Sequence, residues 1–377
     1  MPTSTVGRRV EHAHLAFAIA LQRELAGDPA ATACWSPYSV ASALGLAATG
    51  ARGDTRDELV TLLTGSPDGA LAEHGVMLTE AGSLAAASRS EPPVLGVANT
   101  LWHVPEIPIH PGFVTELAGW PNGAVREAPF GSDPEQARRL VNADVAKTTR
   151  DLIPELLDRG AIRPTTVATL VNALYLKVAW QHRFPGTATE PRPFHGPSGT
   201  APVPTMRLTA RLGYAATGGW QAVVLPAGEV DGVVLLPDGD LASVESTVDA
   251  DALAELLATP KPTQVRLELP RFRVRAKAGL DNALTSLGAR TMFTDSADFS
   301  GVSGMPMAVD SVRHEAVLTV DERGLEGAAA TAVVFRALAL HRDLSQPIDV
   351  RVDRPFLFLV RHRSSGAVYF LCRVVRP

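Results

Sequence analysis

The chain is 377 residues long and holds only two cysteines, four lysines and no long apolar run. Two cysteines are too few for a disulfide framework or a zinc site. Cys34 lies in "ATACWSP" and Cys372 in "AVYFLCRVV", both apolar and strand-like, so buried free thiols are expected. The lysines are Lys147, Lys177, Lys261 and Lys277, leaving nearly all of the 35 basic residues as arginine. With abundant Ala, Gly and Pro, this points to a GC-rich bacterial genome. No window reaches the roughly 18 consecutive apolar residues of a membrane span. Arg8 and Arg9 precede an apolar stretch near the N-terminus, but Glu11, His12 and His14 interrupt it, and it runs into Gln22, Arg23 and Glu24. A secretory leader needs an unbroken apolar core. An amphipathic first helix and a cytoplasmic protein are expected instead.

The familiar catalytic signatures are missing as well. There is no Gly-x-Ser-x-Gly, since "GVSGM" at 301–305 fails at its last position, and no phosphate loop, His-Glu-x-x-His or Cys-x-x-Cys. His12 and His14, two apart, would face different sides of a helix and cannot share a metal. No catalytic residue, metal or cofactor is expected. A net charge of -5 gives no reason to expect nucleic acid or an anionic membrane as partner.

What is present is a soluble globular composition, 46% hydrophobic and 20% charged. Helical periodicity marks 10–26, 38–50 and 54–64. In the last, "GDTRDEL" offers Asp54 or Thr55 as a cap and Glu58 as first-turn support. Helices are also expected over 68–86, 133–149, about 241–258 and 279–288. "VLGVANTLWHV" and a run at about 165–178 are rich in β-branched residues, and the second reads as a central strand buried on both faces. Short strands dominate from 203 onward, and three more close the chain at 310–320, 355–362 and 367–375. Helices and strands mix without βαβ alternation, so one α+β domain over 1–377 is expected.

Between the strand ending near Val320 and the one beginning near Val350 the chain reads "DERGLEGAAATAVVFRALALHRDLSQPIDV". Structureless connections beyond about 12–15 residues are uncommon in compact domains, and this one is too apolar for disorder. Its alanines fit a short helix or an ordinary loop. They also fit a loop able to become a strand. In a strand, Leu325, Gly327, Ala329, Thr331, Val333 and Phe335 would share one uncharged face, and Glu326, Ala328, Ala330, Ala332 and Val334 the other. Ordering each residue costs about 1–2 kcal/mol and each ladder hydrogen bond returns about 0.5–1.5. These nearly cancel, so burial of Leu325, Val333 and Phe335, at about 1.5–3 kcal/mol each, would favour insertion into a sheet. A charge on the inward face would reverse the balance.

Four stretches in order resemble the serpin family: "CWSPYSVASALGLAATGARGDTRDEL"; "LVNALYLKVAW" with Phe184, Thr189 and Phe194; "RHEAVLTVDERG"; and "DRPFLFLVRHRSSGAVYFLCRVV". Each is weak alone, but the ordered set, from about residue 10 to the C-terminus, is specific. The resemblance implies an α+β serpin fold of three β-sheets and about nine helices, with an exposed reactive-centre loop at about 322–349. It also implies suicide inhibition of serine-type proteases by a monomer. Ser36, Ser39, Asn172 and His314 match the family's shutter, a polar cluster where the central sheet opens. Read alone, the serines fit helix caps and His314 a satisfied core histidine. Trp180, Arg271 and Glu322 match the breach, where the loop first enters that sheet. The hinge would comprise Glu322, Gly324, Leu325, Gly327, Ala328, Ala329 and Ala330. The family's spacing puts the scissile bond at Leu338–Ala339, favouring a chymotrypsin-, subtilisin- or elastase-like target. Arg336 is the rival and would imply a trypsin-like one. The chain departs from the family at Leu325, where Ser or Thr is usual, at Gly327 for alanine, and at Val178 for glycine. "HRDLSQP" also lengthens the downstream loop. A non-inhibitory serpin, serving as carrier, chaperone or structural protein, is the alternative.

Overall fold

The computed structural model describes residues 5–85, 92–117, 119–325 and 346–377. Among them are nine α-helices: α1 (Thr5–Leu25), α2 (Pro37–Gly50), α3 (Gly53–Thr64), α4 (Leu71–Glu80), α5 (Pro111–Leu117), α6 (Pro134–Thr148), α7 (Leu241–Val244), α8 (Ala250–Ala258) and α9 (Asp281–Ser286). The strands are β1 (Ala33–Trp35), β2 (Val94–His103), β3 (Gly123–Glu127), β4 (Ala168–Ala179), β5 (Glu190–Gly196), β6 (Gly199–Thr217), β7 (Trp220–Ala227) and β8 (Val230–Pro237). They continue as β9 (Lys261–Pro270), β10 (Phe272–Gly279), β11 (Arg313–Val320), β12 (Gly324–Leu325), β13 (Ile348–Arg351), β14 (Phe356–His362) and β15 (Val368–Val374).

A six-stranded sheet runs β10-β11-β12-β4-β2-β3. The other nine strands form one continuous hydrogen-bonded sheet with two limbs, one of β1, β15, β14, β8 and β7 and one of β5, β6, β9 and β13. The 19-residue β6 belongs to both, pairing with β5 and β9 along its earlier part and with β7 at its end. β4, the expected central strand, is almost wholly buried because helices cover one face and the main core the other. On the first face α6 presents Ala137, Val141 and Val145, at four-residue spacing, to Trp102, Val171, Ala173 and Val317. On the second lies α2, buried on all sides and started by Ser36, whose Oγ accepts from the Ser39 amide at 3.1 Å, with Pro37 at the first helical position.

Three local expectations are corrected. α3 begins at Gly53, so Asp54 and Thr55 lie inside its first turn, and its N-cap, Arg52, makes no side-chain capping bond. Thr55 Oγ1 instead accepts from the Asp298 amide, and Glu58 accepts from the Arg290 and Thr291 amides, so both tie the helix to a distant loop. The helix expected over 241–258 is broken, because Asp249 caps a new helix by accepting from the Ala252 amide. Finally, Cys34 and Cys372 are not free thiols but form a disulfide. They lie directly opposite each other in the antiparallel β1–β15 pair, with Cα atoms 4.0 Å apart. That register brings together residues 338 positions apart, a juxtaposition that spacing along the chain does not reveal.

His12 and His14 part company as their spacing requires. His12 is on the outside of α1, paired with Asp251 at 2.9 Å, while His14 is buried and accepts from the Val368 amide at 3.0 Å.

Candidate functional site at the seam between β4 and β11

β11 and β4 run parallel, and among the described residues they are joined only through β12. β12 is antiparallel to both, with Leu325 opposite Val320 on one side and Val178 on the other, and Gly324 opposite Ala179. Adjacent strands stand about 4.8 Å apart, so β4 and β11 are about two such spacings apart where β12 enters. β12 is two residues long, whereas β11 has eight and β4 twelve. The strand-length edges of β4 and β11 therefore flank a short wedge formed by the first hinge residues.

The wedge is anchored from both neighbours. The Trp180 amide donates to the Arg323 carbonyl at 2.8 Å and its indole Nε1 to the Asp321 carbonyl at 2.8 Å. The Phe184 amide donates to the Glu322 carbonyl at 3.0 Å. Asp321 turns the chain, its carboxylate accepting from the amides of Arg323 and Gly324. The Glu322 carboxylate accepts from Arg271 Nη2 at 2.5 Å and Thr189 Oγ1 at 2.7 Å. Burial pushes the Glu322 carboxyl up, but the hydrogen bonds from Arg271, Thr189 and its own amide, together with the Arg271 charge, hold the group below the usual glutamate range. Arg271 is half exposed, so the pair adds only tenths of a kcal/mol to about 1 kcal/mol of stability and serves mainly to fix position.

Two glycines make this packing possible by lacking a Cβ. A methyl on Gly324 would run into the Val178 carbonyl oxygen and the Ala179 Cα, and one on Gly232 of β8 would crowd the ring of Trp180 at 2.9 Å. Leu325, where the family usually carries Ser or Thr, is fully buried in the main core.

The four expected shutter residues are only partly brought together. The Ser36 amide donates to His314 Nε2 at 3.0 Å, and Ser36 Oγ caps α2, so Ser36, Ser39 and His314 form one hydrogen-bonded set. His314 is thus unprotonated at Nε2, and burial pulls its pKa down to about 4. Asn172 belongs to a second set. Its side chain donates to Asn99, its register partner on β2, and Asn99 Nδ2 donates to the Pro121 carbonyl at 2.5 Å. Asn172 Oδ1 and Ser39 Oγ have no partner among the described residues.

Asn99 and Thr189 thus join the site without having been singled out for a role. Asn99 could have been noticed as a lone amide inside a buried apolar strand. Gly327, Ala328, Ala329, Ala330, the Leu338–Ala339 bond and Arg336 lie outside the described residues.

The comparisons agree with this architecture. The family described as "Serpin (serine protease inhibitor)" matches residues 12–377. An uncharacterized serpin-like protein of Thermococcus kodakarensis is 30% identical, covering 96% of this chain and 84% of that one. The leukocyte elastase inhibitor of Bos taurus is 31% identical, covering 93% of this chain and 94% of that one. The crystal structure of uncleaved ovalbumin superposes with a TM-score of 0.83 at 24% identity, over 98% of this chain and 100% of that one. A seam between parallel strands, with a glycine-led segment entering at its top, therefore sits in a chain that belongs to the serpin family.

Proposed function

We propose that this serpin is a suicide-substrate inhibitor of serine proteases of chymotrypsin-, subtilisin- or elastase-like preference. The observation that carries this reading is β12, which has already entered between β4 and β11 in antiparallel register with both. Carried on residue for residue, that register would bring Thr331 level with Asn172 on β4 and with His314 on β11. The segment would then cross the sheet at the shutter. Its inward face, begun by the buried Leu325, carries no charge through Phe335.

In the proposed reaction the protease serine attacks the Leu338 carbonyl carbon. The Leu338–Ala339 bond breaks, the amine of Ala339 leaves with a proton, and Leu338 remains esterified to the enzyme. Released from Ala339, the segment beyond Leu325 inserts along β4 and β11 and carries the protease with it. Distortion of the enzyme's oxyanion hole then blocks deacylation.

The test is incubation with chymotrypsin, subtilisin, elastase and trypsin, followed by denaturing electrophoresis. A denaturant-resistant adduct with an apolar-specific enzyme supports the reading, and intact-mass analysis of the released fragment places the bond. Clipping without an adduct, by every enzyme, would assign a non-inhibitory serpin instead.

A further inference from the structure

The limb of β5, β6, β9 and β13 carries a polar cavity of about 350 Å³, lined by Arg192, Arg207, Arg266, Arg351 and three carboxylates. It adjoins the breach, since lining Thr205 follows Pro204, whose carbonyl accepts from the Arg271 amide at 2.8 Å, and β13, which begins three residues after the undescribed 326–345, forms part of its wall.

Each lining carboxylate is engaged with an arginine. Glu268 meets Arg207 Nε at 3.4 Å, Asp349 meets Arg266 at 2.9 Å, and Asp353 meets Arg354 at 3.1 Å. Glu190, at the edge, takes a second bond from Arg207 and one from Arg192. Its carboxyl is held below the usual range chiefly by the Arg192 hydrogen bond. Two donors are left over. Arg351 stands in register with Glu268, which in turn stands in register with Arg207, yet Arg351 has no ion-pair partner among the described residues. Arg192 Nε is buried and has no hydrogen-bond partner among the described residues either. A buried N–H without an acceptor is costly, and a guanidinium with a free edge presents two parallel donors to an oxyanion. The cavity therefore holds four lining arginines against three lining carboxylates, and leaves the buried Arg192 Nε–H and the exposed Arg351 guanidinium without an acceptor among the described residues.

We propose that this cavity is a binding site for a small oxyanion of one or two negative charges, a phosphate or carboxylate group held by Arg351 and Arg192. Bound there, the ligand would contact the strand that continues from the reactive loop.

The full chain is titrated calorimetrically with inorganic phosphate at constant ionic strength, chloride being the balancing anion. Saturable one-to-one binding is expected. Arg351→Gln should weaken it about tenfold or more, and Arg192→Lys, which keeps the charge but removes the Nε donor, several-fold. Arg56→Gln, an equal charge change on α3, should leave it unaltered. Malonate that displaces phosphate assigns the carboxylate source, and malonate that fails to displace it assigns phosphate. Absence of saturation, or equal weakening by Arg56→Gln, overturns the site.

Discussion

At Gly324 the difference between hydrogen and methyl decides whether the hinge can lie beside β4. The Val178 carbonyl occupies the space a Cβ would need. Gly324→Ala therefore forces the backbone outward, at a penalty of about 1–3 kcal/mol for such overpacking, which corresponds to about 5- to 150-fold in the ease of seating β12. The expected outcome, read on a denaturing gel, is a lower yield of trapped protease and a higher yield of clipped chain. Unchanged trapping would show that the close approach has no part in insertion. The buried histidines set the response to acid. His74 and His314 have pKa values pulled down to about 4 by burial, and His14 is also well below normal. A histidine free at about 6.5 when unfolded and depressed when folded supports stability fully above pH 6.5, and that support drains away as pH falls towards 4. Thermal denaturation from pH 7 to pH 4.5 should show a falling midpoint, with a shallower slope in His314→Leu than in the parent. A midpoint level across that range would contradict the buried, neutral state. Of these residues, Gly324 and His314 were legible in the sequence only as family matches, and His74 was not singled out at all. Ser36 and His314 could be named as a pair, but the partition of Asn172 to Asn99 depends on strand register, which apolar runs do not encode.

At the scale of elements, periodicity located α1, α2, α3, α6 and the long strand β4, because each presents a strong, regular apolar pattern over many residues. It failed where tertiary contacts override local preference. α3 starts without a side-chain cap because Thr55 and Glu58 are committed to residues 290–298. The short β1 showed only as a strand-like apolar stretch around Cys34, and β3 was invisible, since three and five residues carry no usable periodicity. β1 was also where the cysteine expectation turned out wrong. The Cys34–Cys372 bond fastens β1 to β15 two residues before Ser36. It closes nearly the whole chain, and such cross-links stabilise by about 2–4 kcal/mol, mainly by restricting the unfolded state. Cys34→Ala with Cys372→Ala should lower the thermal midpoint by several degrees, and thiol-specific labelling of the unfolded parent should find no free cysteine. Disulfides persist mainly in oxidising compartments. The cytoplasmic placement read from the N-terminal sequence therefore stands as a proposal that cell fractionation would test against a periplasmic or extracellular one.

Across the whole molecule, the proposed function requires that free energy be stored in an arrangement one strand short of complete. β12 shows the geometry a longer strand would adopt, with ladder positions on both sides, and Asn172 Oδ1 and Ser39 Oγ still lack partners among the described residues. Insertion would bury apolar side chains such as Val333 and Phe335 at about 1.5–3 kcal/mol each and satisfy a ladder on each edge. On the proposed function, the native fold is then held by a kinetic barrier until the chain is cleaved. The decisive measurement is the thermal midpoint of the chain before and after a single nick within 336–339 by a catalytic amount of subtilisin or chymotrypsin. A rise of tens of degrees on nicking, with the nicked form resistant to denaturant, is predicted; an unchanged or lower midpoint would contradict the claim that the loop is a strand in waiting.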